Sequence, residues 1–115
     1  MPSPPLAPDD GPIDLKHLKR MTSGDSRLTR EVLAMFVRQA VRLIEGLAAW
    51  PSDAAEIAHT LNGSARAIGA FQVADATEAY AAAMRDGGEP SEALAALQQA
   101  VARACSAIDA MLRRS

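Results

Sequence analysis

From Leu28 to Leu47 apolar residues return every three or four positions: Leu28, Val32, Met35, Phe36, Ala40, Leu43, Ile44 and Leu47. That is the period of a helix with one buried stripe, and it predicts a long helix from Asp25 or Ser26 to Trp50. Pro51 cannot lie in a helix interior and either ends it or opens the next helix. Ser52 or Asp53 is placed to cap a second long helix, Asp53 with Glu56 having the spacing of a capping box, and this helix carries Ile57, Leu61, Ala65 and Ile68 inward before stopping near Gly69. A third runs from Phe71 to Asp86, with Val73, Ala76, Thr77, Tyr80, Ala83 and Met84 inward, and Gly87-Gly88 stops it. The last covers Ser91 to about Arg113 through Leu94, Leu97, Val101, Ala104, Cys105, Ile108 and Leu112. Ahead of them all, Asp14 is placed to cap a short helix through Leu15, Leu18 and Met21, and Thr22 to Asp25 form a turn. No stretch alternates with the period of a strand. The pattern predicts an all-α fold: an antiparallel up-down-up-down four-helix bundle with a short extra N-terminal helix.

The second long helix has an unusual outer face. At roughly 100° per residue, Ala55, Asn62, Gly63, Arg66 and Ala70 fall on the side of His59, opposite the apolar stripe. His59 therefore points to solvent among small or hydrogen-bonding neighbours. A glycine in mid-helix costs about 1 kcal/mol against alanine, and Gly63 lies one turn beyond His59. Leaving out that side chain clears a path to the imidazole.

Composition narrows the picture further. The chain has 115 residues, enough for one domain, and its hydrophobic share of 49% is carried largely by alanine, with aromatics at 3%. Small side chains of that kind suit closely packed helices. Residues 1–12 contain five of the seven prolines and read as a disordered leader, followed by one bundle domain over residues 13–115. A net charge of -2 argues against nucleic acid as a partner, and no apolar run approaches the roughly 20 residues that span a bilayer. Cys105 is the single cysteine, so no internal disulfide forms, and a reducing cytoplasm is the expected setting. His17 and His59 lie far apart without ligand-type spacing, so no metal site is expected. There is no glycine-rich nucleotide loop either, and no autonomous catalysis on ATP is expected.

His59, Leu61, Gly63, Ser64, Gly69 and Ala70, in the order His-x-Leu-x-Gly-Ser-(x)4-Gly-Ala, resemble the signature of histidine-containing phosphotransfer (HPt) domains. The resemblance extends from about Ile13 to Leu112. It implies a four-helix module that relays phosphoryl groups in phosphorelays, with His59 taking the phosphoryl group from an aspartate of one receiver domain and passing it to another. Partners would be receiver domains of response regulators or hybrid histidine kinases, which bring their own Mg²⁺, so no cofactor is expected here. The chain departs from the family at one position: Asn62 stands where lysine is usual. Asn62 can donate a hydrogen bond to a phosphoryl group without adding charge, and Arg66, one turn on, can supply the cation. Asn62, Gly63 and Arg66 are thus the expected supports of the phosphoryl group. Ala55, Ala67 and Ala70, with Arg38 and Arg42 of the first long helix, form the expected docking surface. A monomer is the expected state. The rival reading is a bundle that binds receivers but no longer carries phosphate.

Overall fold

The computed structural model describes residues 11–114, and among them the secondary structure is entirely helical. The elements are α1 (Leu15–Met21), α2 (Ser26–Ala48), α3 (Ala54–Ile68), α4 (Phe71–Asp86) and α5 (Pro90–Arg114). The leader expected over residues 1–12 lies almost wholly outside the described residues.

Asp14 caps its helix as expected, and Asp25, read from the sequence only as the end of a turn, caps the next. Asp14 accepts from the backbone N–H of His17 at 3.1 Å, and Asp25 from that of Leu28 at 3.0 Å, each satisfying a donor that the first turn leaves unpaired. Asp53 does not: it occupies the N-cap position of α3, but its side chain makes no capping bond. Its ψ of 28° is outside the extended region that capping requires. The entry to α3 is instead a backbone turn in which the Ala54 N–H donates to Pro51 O at 3.2 Å. The first long helix also ends earlier than its pattern suggests. Ala49 caps it, and Trp50, the residue before Pro51, sits at φ 52° with its ring 6.4 Å from that of Tyr80.

α2 packs on α3, α3 on α4, α4 on α5, and α5 returns to α2, closing a ring of four helices around one core. Leu33, Leu47, Leu61, Leu97, Ile108, Val73 and Tyr80 are its largest fully enclosed apolar side chains. The alanines Ala40, Ala58, Ala65, Ala74 and Ala104 are buried among them, and their small volume lets helices approach closely. Two of the inward assignments on α2 are corrected. Leu28 and Met35 are exposed, and Leu33 takes the core position between them, because the buried line runs through Leu33, Phe36, Ala40 and Leu47. On α4, Met84 is exposed and Ala74 buried. On α1 only Leu18 is buried, while Leu15 and Met21 face outward.

α1 lies across the C-terminal end of α3. Asp14 N–H donates to Gly69 O at 2.8 Å, and the His17 ring meets the Ala67 carbonyl at 3.2 Å and Phe71 edge-on at 5.1 Å. His17 is thus a packing residue that holds α1 in place. No helix among the described residues is long and apolar enough to cross a membrane.

Candidate functional site

The α3 sequence buries Ala54, Ala58, Leu61, Ala65 and Ile68, and this leaves the other side of the helix to water. His59 is exposed there. One turn later Gly63 is exposed too, and a Cβ built on it would meet nothing within 4 Å. Its glycine is therefore not required by packing against a neighbouring helix. The surface beyond the imidazole is bare backbone. Gly63→Leu should stabilise the isolated fold by up to about 1 kcal/mol, the propensity cost of the glycine, readable as a higher urea midpoint. A fall in stability would mean that the space is filled.

Beside His59 an open groove runs between α3 and α4, lined by Ala55, His59 and Asn62 on one side and Thr77, Glu78 and Ala81 on the other. Its floor is a polar network. Asn62 Nδ2 donates to Ala74 O at 3.1 Å and to Thr77 Oγ1 at 2.9 Å. Thr77, 2% exposed, donates its hydroxyl to Ala74 O at 2.6 Å. Asn62 Oδ1 accepts from Arg66 Nε at 3.3 Å, and the guanidinium of Arg66 forms an ion pair with Glu78. The hydrogen bond and charge of Arg66 hold the Glu78 carboxyl below its usual range, against a small opposing effect of desolvation.

Asn62 is therefore turned toward α4, its donors engaged with Ala74 and Thr77, rather than standing free for a phosphoryl group. Asn62→Ala should cost about 1–2 kcal/mol of stability, since two hydrogen bonds to buried partners are lost. An unchanged urea midpoint would contradict the network. Arg66 shares the face of His59 but already has a carboxylate partner. Ala55 and Ala67 are exposed. Ala70 is not: it is 0% exposed, because α3 ends at Ile68 and the chain turns at Gly69, carrying Ala70 into the core as the N-cap of α4. Ala70 leaves the docking surface. Arg38 and Arg42 are exposed on α2, where they line a shallow depression of their own with Met35 and Gln39, apart from the groove beside His59. Glu78 was not marked by the sequence pattern. Among the described residues no group of three His, Cys, Asp or Glu side chains could hold a metal ion.

A ring of helices that shows one imidazole to solvent, beside a turn stripped of side chain, defines a helical module built to present a histidine. The family model of the Hpt domain matches residues 31–114, well over half of the chain. The chain belongs to the Hpt domain family. Hpt domains are phosphotransfer modules rather than classical enzymes, and membership places this chain in phosphorelay signalling. No curated protein and no solved structure matches it.

Proposed function

We propose that this chain carries a phosphoryl group on His59 and relays it between aspartates of receiver domains. The observation that supports this most is the exposed His59 beside the unfilled side of Gly63, inside the family's motif. An exposed imidazole is a competent nucleophile. Its nitrogen attacks the phosphorus of an aspartyl phosphate; an N–P bond forms, the P–O bond to the carboxylate breaks, and the ring N–H proton leaves to solvent. Reversal onto a second aspartate completes the relay. Such transfer rests on positioning and charge neutralisation, and the receiver supplies the Mg²⁺, so the chain needs neither cofactor nor ATP site of its own. The bundle is read as up-down-up-down, supported by the ring of neighbours and by connections as short as residues 69–70 and 87–89.

Gly63 clears the approach, while Asn62 lines the groove and Arg66 braces it through Asn62 and Glu78. Ala55 and Ala67 on α3, with Arg38 and Arg42 on α2, form the docking face for receiver domains of response regulators or hybrid kinases. The chain acts as a cytoplasmic monomer. On this reading Gly63→Leu, although more stable, accepts phosphoryl from a receiver at least tenfold more slowly, since the new side chain stands in the partner's path. Unimpaired transfer would remove Gly63 from the docking site.

One observation favours a second reading, the receiver-binding module without phosphate. The donors of Asn62 and the charge of Arg66 are both engaged with α4, so no unpaired cation stands where the family usually has lysine. Incubation with a panel of phosphorylated receiver domains separates the two. Acid-labile, base-stable label on the chain supports the relay, and binding without label supports the module.

A further inference from the structure

Glu78, the acid of the ion pair between α3 and α4, lines the same groove as His59, and this has a consequence for a phosphoryl group held there. Helical side chains lean toward the N-terminus of their helix. Arg66 accordingly leans back along α3, its Nε within 3.3 Å of Asn62 Oδ1, and Asn62 is one turn from His59. Gly63 offers no side chain to screen that path. The guanidinium is thus carried toward His59, and Glu78, reaching across from α4 into the groove, captures it.

Neither side chain is fixed by burial: their exposures are 46% and 59%. An exposed ion pair of this kind is held weakly and exchanges partners readily. A phosphoryl group carries a charge of about −1.5 to −2 and three strong acceptor oxygens, more than a carboxylate offers. We propose that Glu78 is the resident competitor for Arg66. In the unphosphorylated chain it keeps the guanidinium on the α4 side of the groove; a phosphoryl group on His59 draws the guanidinium away. Glu78 thereby opposes retention of the phosphoryl group and tunes how readily the chain gives it up. Glu78 is a positioning residue, acting through Arg66. This inference rests on His59 as the phosphorylated residue.

The test needs no partner protein. Phosphoramidate transfers its phosphoryl group to an imidazole nitrogen: the N–P bond to the ring forms, the bond to the departing nitrogen breaks, and ammonia leaves with the ring proton as ammonium. The full chain is charged in this way, with His59→Ala assigning the signal, and the phosphohistidine ³¹P shift is followed from mildly acidic to alkaline pH, fast enough to precede hydrolysis. The midpoint of its secondary ionisation reports the charge facing the phosphoryl oxygens. Glu78→Gln should lower that midpoint by about 0.3–0.7 unit, a two- to fivefold change in proton affinity, matching the strength of an exposed ion pair. Arg66→Gln should raise it by a similar amount. If Glu78 and Arg66 merely tie α3 to α4, both variants alter the melting temperature and neither moves the midpoint, which overturns the inference and leaves His59 in place. Should no phosphohistidine signal depend on His59, the underlying reading fails and the inference with it.

Discussion

Replacing His59 with alanine should abolish phosphoryl acceptance while leaving the melting temperature within about 3 °C of the unmodified chain. The two halves of this result have separate causes. Acceptance fails because the imidazole nitrogen is the atom that forms the bond to phosphorus, and alanine provides no substitute. The other histidine, His17, is occupied against Ala67 and Phe71 at the α1 contact. Stability barely changes because His59 is exposed at the middle of α3. Surface substitutions away from caps and cores usually fall within about 0.5 kcal/mol, and alanine is the better helix former. Transfer assays and thermal melts on the same preparation check both halves. A large fall in melting temperature would mean that the imidazole packs against its surroundings, and acceptance retained by the variant would place the phosphoryl group elsewhere.

Gly69→Ala should do the reverse, damaging the fold without touching the reactive atom. Gly69 closes α3 at φ 86°, a backbone conformation that costs an L-residue roughly 1–2 kcal/mol. There is no room for a methyl group either: a Cβ at this position would lie 2.9 Å from the backbone oxygen of Asp14. The same glycine accepts the N–H of Asp14 through its carbonyl, so the clash pushes directly against the seating of α1. The combined cost should be about 2–4 kcal/mol by urea unfolding, within the range of strained-backbone substitutions. A loss below about 0.5 kcal/mol would show that α1 can lift away freely.

The short motif around His59 mixes two kinds of residue, and only one kind is legible from helical period. His59 and Gly63 concern the surface, and their exposure follows from helical period alone. Leu61, Gly69 and Ala70 concern architecture: Leu61 is 0% exposed in the core, Gly69 makes the tight turn, and Ala70 fits the closed corner behind it. Placing Ala70 on the face of His59 extended the helical wheel through a glycine that breaks the helix. Leu28 and Met35 are apolar and fit a three- and four-residue spacing, yet they are exposed, and Leu33 lies on the line that meets the core. In a chain this rich in alanine, the contrast between the faces of a helix is shallow, and single leucines or methionines mislead.

Glu78 was hidden for a different reason. Its meaning comes from contact with Arg66 and Asn62, which are far away along the chain, and no local period reports such a meeting. The tight turn at residues 69–70 does contain the clue. Chain folding back at that point sets residues about equally distant from it side by side, and Asn62 opposite Thr77 is such a pair. The hairpin, not either helix, makes the floor of the groove.

The central claim is that a phosphoryl group resides on His59, and the most direct measurement is to locate it. The chain should be charged by a phosphorylated receiver domain, digested at alkaline pH where phosphohistidine survives, and its peptides mapped by mass spectrometry. The account predicts phosphate on the peptide holding His59, absent from the His59→Ala variant and lost on acid treatment. Phosphate on a different residue, or a His59 peptide left unmodified by every receiver that binds the chain, would contradict it.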